Sequence, residues 1–474
     1  MHRPLSRLCG FAVGGVAAGI MGASRPAMAQ DANPRPPSSI NEEVNPKLVP
    51  GLVAAPARST RVGPLSAPAQ ALSDLGVTVH ALSLDFLTAN PSSGLRPGYA
   101  ENTLYNIVGV DWDLAPLLRL KGSSFHFETT IFGANTNVDS FLSQVGDSKF
   151  GYQGTFNTKV AVISAATFEQ KLLDSRLDIE LGRTHPDRYY ALPECQSIDS
   201  CFQDVLYFNA GFTSPQYSVW GANASYKVTP AAYVEVGGFS TNTGARVGYD
   251  IGREVDTGAL LIGEVGTKTD FATTRYPGRY SLTGFATTGV HSVLNRAAVE
   301  IPDQDAKQRG SSGIVIQGQQ VVWRADHGLV QTGAPTAIAL YASAGIGLDS
   351  SQPIRSDVFG GATLQAPFRN RPADRFGLKL GWERLNPGYS AYLGAANAVA
   401  GGPGGSYPLD GYTFELNAHL QLPGGLAFEP VLQYGINLNS YYDPFTARRA
   451  RDGVFAIGML VIPVGVLLGL SVAS

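Results

Sequence analysis

From Val77 onward the chain keeps returning to one pattern, a short run in which apolar and polar residues alternate. The stretch GYTFELNAHLQLPGGLAFEPVLQYGIN, residues 411–437, shows it most clearly. Phe414, Leu416, Ala418, Leu420 and Leu422 alternate with Glu415, Asn417, His419 and Gln421. A Pro-Gly-Gly turn follows, and then Phe428, Pro430, Leu432, Tyr434 and Ile436 alternate with Glu429, Val431, Gln433 and Gly435. Successive side chains of a β-strand point to opposite faces, so a period of two predicts a two-faced hairpin. Trp220, Ala222, Ala224 and Tyr226 interleave with Gly221, Asn223, Ser225 and Lys227 in the same way. Leu177, Ile179 and Leu181 do so with Arg176, Asp178 and Glu180, as do Leu378, Leu380 and Trp382 with Lys379, Gly381 and Glu383.

The pattern recurs in about sixteen runs: 77–87, 104–114, 124–132, 160–173, 176–183, 219–228, 231–240, 259–267, 278–287, 313–324, 336–345, 358–367, 376–384, 412–422, 426–436 and 454–463. No helical period of any length is read in the mature domain. The links between runs alternate in length. Short turns such as 120–123, 173–175, 228–230 and 422–425 contrast with the long links 133–159, 184–218, 288–312 and 385–411. An open sheet of this size leaves edges, and a soluble sandwich needs a second layer against every apolar face. Lipid needs no second layer, but it demands that every backbone group be paired, which a closed barrel achieves. Runs of about ten tilted residues match the thickness of a bilayer. The expected fold is therefore all-β, a transmembrane antiparallel β-barrel of about sixteen strands with short periplasmic turns and long outer loops.

Composition agrees. Charged residues make up 15%, against roughly 25% in soluble domains, and the chain holds 55 Gly, 20 Tyr and 22 Phe. The net charge of −3 offers no attraction for nucleic acid. The uncharged stretch 453–474 has the hydropathy of a membrane helix, but Pro463 and the scattered Gly and Val favour a last strand ending near Ile462, with an apolar tail over 466–474.

Residues 1–29 read as a signal peptide: a basic start, the run LCGFAVGGVAAGIMGA, and Ala27-Met28-Ala29 before Gln30. Residues 30–75, rich in Pro and Ala, read as a periplasmic arm or linker, and the barrel is expected over 76–465. Cys195 and Cys201 are close enough in an exported chain to predict a disulfide. Its small loop makes it worth about 2–3 kcal/mol. Glu194, Asp199 and His185 nearby do not amount to a metal site, and His185 reads as a loop histidine.

Several of these segments, in order, resemble the carbohydrate-selective porins of the OprB-like family. The likeness is carried by LLDSRLDIELGRTHPDRYYALPECQSIDSCF, YSVWGANASYKVTPAAYVEVGGFSTNT, PGRYSLTGFATTG, QAPFRNRPADRFGLKLGW and FELNAHLQLPGGLAFEPVLQYGIN, and spans roughly residues 100–465. The resemblance implies a sixteen-stranded outer-membrane barrel through which sugars diffuse. Two departures stand out. The chain ends in Ser-Val-Ala-Ser where such barrels usually end in an aromatic residue, and the 30–70 arm is Pro-rich where members can carry a more helical segment.

A sugar pore needs hydrogen-bonding groups around a narrow waist, and rings of polar side chains set selectivity. Parity points Glu128, Asp178, Glu180, Lys227, Glu235, Arg279, Lys379, Glu383, Glu415, His419 and Glu429 inward. As a set they would impose a transverse field that favours dipolar neutral solutes over simple ions; singly, each reads equally as a solvated lumen residue. Loop 133–159, with Asn, Asp, Gln, Phe and Tyr, reads as an exposed outer loop, with an inward-folded constriction as its other placement. Trp112, Trp220, Tyr226 and Trp382 read as interfacial girdle. No nucleophile elbow, zinc-binding HExxH or phosphate loop occurs; GGPGGS at 401–406 lacks the Lys-Ser/Thr of a phosphate cradle. The expectation is a porin, not an enzyme, with no cofactor. Its partners would be a sugar or polyol and outer-membrane lipid, and its state a monomer or a homotrimer. A general or other solute-specific porin is the first alternative. A secreted β-rich protein that binds or cleaves carbohydrate is the second.

Overall fold

The computed structural model describes residues 61–135, 141–149, 161–190, 206–207, 218–241, 258–271, 273–301, 306–328 and 335–471. The signal segment 1–29 and the pair Cys195 and Cys201 lie outside these residues. The first strands are Val77–Asn90 (β1), Tyr99–Asp113 (β2), Ser123–Asn135 (β3) and Ala161–Leu172 (β4). Leu177–Thr184 (β5), Val219–Lys227 (β6), Ala232–Thr241 (β7) and Gly258–Lys268 (β8) follow. Then come Gly278–Ser292 (β9), Lys307–Arg324 (β10), Ala337–Gly347 (β11) and Ile354–Gln365 (β12). Arg375–Leu385 (β13), Asp410–Gln421 (β14), Ala427–Ile436 (β15) and Gly453–Ile462 (β16) complete the set. Each strand pairs antiparallel with its sequence neighbours, and β1 pairs with β16 from Ser83↔Ile462 to Ala89↔Ala456, so the sheet closes into a ring.

Every alternating run is a strand, and the outward residues of the first hairpin quoted above are the apolar ones. Phe414, Leu416, Leu432 and Tyr434 are exposed, whereas Glu415, Glu429 and Gln433 are buried. The turn between them needs its glycines: Gly424 and Gly425 have φ of 81° and 84°, where a side chain is strained. Where the sequence reading ends one strand at 287 and starts the next at 313, the structure carries the hairpin further, to Ser292 and back from Lys307. Arg309 and Gln308 still pair there, beyond the apolar band.

Two expectations are corrected. Link 385–411 contains a helix, Pro387–Val399, capped by Asn386, whose side chain accepts from the Gly388 N–H at 3.1 Å. It buries Tyr389, Tyr392, Leu393 and Ala396, an i, i+3, i+4, i+7 set hidden among Gly, Asn and Ala. The Pro/Ala-rich arm ends in a second helix, Ser66–Asp74, and the apolar stretch after β16 forms a third, Val464–Leu468. These last two meet at the short-turn end, where the Leu65 N–H donates to the Leu468 carbonyl at 2.9 Å.

The two faces of the wall are not uniform in chemistry. Around the closure, the inner face is apolar: Leu82, Leu84, Phe86, Tyr105, Ile107, Phe455, Ile457 and Met459 form one buried cluster with Val145. A second inner cluster joins Phe239, Leu260, Ile262, Phe285 and Val315 to Tyr189, Tyr190, Leu206 and Tyr207 from link 184–218. Each such side chain stabilises by about 1.5–3 kcal/mol when removed from water. Both clusters exist because loop residues enter the barrel and cover part of its inner wall.

Candidate functional site

The first of those loops shapes the lumen. Residues 141–149 belong to the link between β3 and β4, yet their contacts are with β12, β13 and the segments 94–96 and 438–442. In the ring, β12 and β13 lie on the far side from β3 and β4. The loop therefore folds inward and reaches across the barrel, contrary to the exposed placement. Backbone bonds anchor it: the Leu95 N–H donates to Val145 O at 3.1 Å, Arg96 N–H to Gln144 O at 2.9 Å, and Tyr442 N–H to Gly146 O at 2.8 Å. Gly146, at φ 87°, makes the bend, and a Cβ there would meet Leu95 at 2.5 Å.

The far end of this loop carries Asp147, Ser148 and Lys149, all buried. The Ser148 hydroxyl donates to Glu383 Oε1 at 2.5 Å, and Asn439 Nδ2 donates to Ser148 Oγ at 2.8 Å. The Asn439 N–H donates to Asp147 Oδ2 at 2.9 Å. Lys149 Nζ pairs with Asp357 and also lies 5.3 Å from the centroid of the Phe359 ring. Lys379 Nζ lies 5.7 Å from the same ring and 2.9 Å from Glu415 Oε2, which also accepts from Gln433 Nε2 at 2.6 Å. One aromatic ring thus faces two ammonium groups, each held by its own carboxylate. Ring faces attract cations, and the carboxylates hold the ammonium groups in place.

A second set of charges lines β1 to β5. Asp111 links His80 Nδ1 at 3.2 Å to His126 Nδ1 at 2.5 Å. His80 Nε2 lies 3.7 Å from Glu128, and His126 Nε2 lies 3.5 Å from Glu169, which pairs with Lys171 at 3.0 Å. Lys171 stands opposite Asp178 in the register. Glu180 accepts from the Thr167 hydroxyl at 2.5 Å and pairs with Arg188 at 3.4 Å, from the loop that follows β5. Burial alone would lower the Arg188 pKa, but Glu180 and its neighbours Tyr189, Glu128 and Asp111 raise it, so the guanidinium stays charged.

The parity-assigned residues fall into groups. Lys379, Glu383 and Glu415 meet around the inward loop. Glu128, Asp178 and Glu180 belong to the β1–β5 ladder. Glu235 accepts from Asn223 Nδ2 at 2.8 Å, and Arg279 lies beside Tyr233. His419 Nδ1 and Glu429 Oε1 pair at 2.6 Å. Lys227 is exposed at the end of β6, away from the others. His185 lies in the link after β5, as expected, and is buried there against Asp187. Sequence reasoning missed Lys149, Asp357 and Phe359. Asp357 precedes the expected strand start at 358, and an inward Phe among VFGG breaks the rule that the inner face is polar.

A closed ring of outward apolar residues, crossed by a loop that builds a hydrogen-bonding wall inside it, is the architecture of a diffusion channel of the outer membrane. The family model described as "Carbohydrate-selective porin, OprB family" matches residues 106–459, and the chain belongs to that family. Among solved structures, the high-pH structure of OprB from Pseudomonas putida aligns with TM-score 0.68 at 18% identity, covering 86% of this chain and 99% of that one. Its low-pH structure aligns with TM-score 0.52 at 15% identity, covering 85% and 98%. No curated protein matches the chain.

Proposed function

We propose that this carbohydrate porin passes monosaccharides and related polyols down their gradients, without catalysis or a bound cofactor. The observation that supports this most is the pairing around the inward loop. Ser148, Lys149, Asp357, Lys379, Glu383, Glu415 and Asn439 set donors and acceptors beside the Phe359 ring. A sugar ring presents hydroxyls at its rim and C–H bonds on its faces, so it suits a wall that offers both. Because both ammonium groups there already have a counter-charge, a simple anion gains little on entering, whereas a neutral polyol exchanges hydrogen bonds with water at small cost. On this reading Glu128, Asp178, Glu180, Glu235, Arg279, His419 and Glu429 line the path on either side of the waist, and Lys227 stands at its short-turn rim.

Liposome swelling tests the reading. Vesicles holding the purified porin should take up glucose several-fold faster than a non-sugar solute of matched size. Equal rates would leave a general diffusion porin in its place.

A further inference from the structure

Buried amides on the inner wall are mostly tied to a neighbouring side chain. Gln433 donates to Glu415, and Asn223 donates to Glu235. Gln317 of β10 and Gln365 of β12 differ. Both are buried, Gln317 at 2% exposure, yet neither Nε2 nor Oε1 of either has a hydrogen-bond partner in the protein. Gln365 stands opposite Ala337, in an apolar cluster with Phe271 near the short-turn ends. Gln317 has polar company. Ser281 of β9, its register partner, is buried with its hydroxyl also unbonded, and Gln319, next along the same face, leaves its Nε2 unbonded. A buried amide without partners bears the whole cost of its lost hydration. A wall that keeps one beside an unbonded hydroxyl is set for a partner that the protein does not itself supply.

The position of Gln317 narrows what that partner is. From β9 to β12 the register runs Ser281, Gln317, Ser343, Phe359, so the amide shares a row with the ring that faces Lys149 and Lys379. Gln317 and Phe359 are two strand spacings apart, about 10 Å. Val315, two residues toward the long-loop end on the same face, belongs to one cluster with Leu206 and Tyr207 of link 184–218. The amide is thus screened from bulk water, where a hydrogen bond is stronger than at an open surface. Ser281, Gln317 and Ser343 carry no charge, so they give a bare ion little hold.

We propose that Gln317 and Ser281 form a subsite for a vicinal diol, and that this subsite ranks one neutral polyol against another. An amide sets an acceptor oxygen beside a donor nitrogen. Two hydroxyls on neighbouring carbons of a sugar ring present the matching donor and acceptor side by side. The Ser281 hydroxyl both donates and accepts, so it serves a third oxygen of the same solute. The subsite rests on the reading of the chain as a sugar channel and adds a second level to it. The charged groups around Phe359 favour neutral solutes, and the amide chooses among them. Lys149 of the inward loop stands over Phe359 in the same row, so a solute passing there is kept close to this wall.

Vesicle swelling and planar-bilayer recording test this with methyl α-glucoside and its analogue lacking the 3-hydroxyl, which keeps the ring but has no vicinal pair. The intact porin should take up the parent glucoside about fivefold faster than the analogue, and the parent should interrupt the ion current at lower concentration. Gln317→Leu keeps the size of the side chain and removes its hydrogen bonds. The ratio should fall toward one, while the porin stays heat-modifiable and no less stable to urea, because an unbonded amide has gone. Ser281→Ala should lower the ratio about twofold, and Gln317→Asn should retain part of it. A ratio unchanged in Gln317→Leu and Ser281→Ala overturns the proposal and leaves ordered water as the partner of the amide. If Gln317→Leu does not assemble, an unchanged ratio in Ser281→Ala and Gln317→Asn overturns it equally. A ratio of one in the intact porin also overturns it. In that case, glucose still outrunning a non-sugar solute of its size leaves the sugar channel standing without this subsite, and equal rates remove both.

Discussion

Lys149 joins three parts of the barrel at one point. It comes from the link after β3, pairs with Asp357 on β12, and faces Phe359 beside Lys379. A buried ion pair is a weak source of net stability, but removing one partner is damaging, because the other is left in a poor solvent. Lys149→Ala should release the end of the loop while leaving the strand pairing intact. Single-channel recordings should then show higher conductance and a shift toward cation passage, from the uncompensated Asp357, and swelling assays a smaller preference for glucose. Unchanged conductance and ion selectivity would show that Lys149 does not hold the waist.

At the scale of elements, what was legible depended on how local the signal was. Strands such as β13 and β14 could be read because period two is set by each run alone: Leu378, Leu380 and Trp382 need only face lipid. Leu380 is central in β13 and 54% exposed, so Leu380→Arg should lower stability by about 2–4 kcal/mol, read by urea unfolding in vesicles. Asn417→Lys on the inner face of β14 should change it little. The helix Pro387–Val399 escaped notice because its apolar face is made of Tyr and Ala among residues that also suit loops. Losing its cap in Asn386→Ala should weaken it by about 1 kcal/mol, and Asn386 Nδ2 also holds the Ser350 carbonyl at 2.5 Å. Faster amide exchange over 387–399, with strand amides unaffected, would report this. The apolar inner face at the closure was illegible for another reason. Leu82, Leu84 and Phe86 are buried in a cluster that draws in Val145 and Leu438 from distant parts of the chain.

For the molecule as a whole, the barrel and its inward loop are separable contributions. Strand pairing alone gives a ring, residues 141–149 cross it, and on the proposed reading they form its waist. Replacing that segment with a short Gly-Ser link should leave a heat-modifiable barrel in the outer membrane whose conductance rises and whose swelling rates rank solutes by size alone. Retained sugar preference would place selectivity in the walls, and the β1–β5 ladder of Asp111, His126, Glu128 and Glu169 would become its seat.

The join between β1 and β16 has a consequence for biogenesis. It unites residues such as Ser83 and Ile462, from opposite ends of the polypeptide. Until the last strand has been synthesised and delivered, the unfinished sheet has two open borders, and a bilayer has nothing with which to satisfy them. Translocation must therefore be over before the ring is sealed, and an assembly intermediate needs a surrogate strand from its insertion machinery to hold the gap.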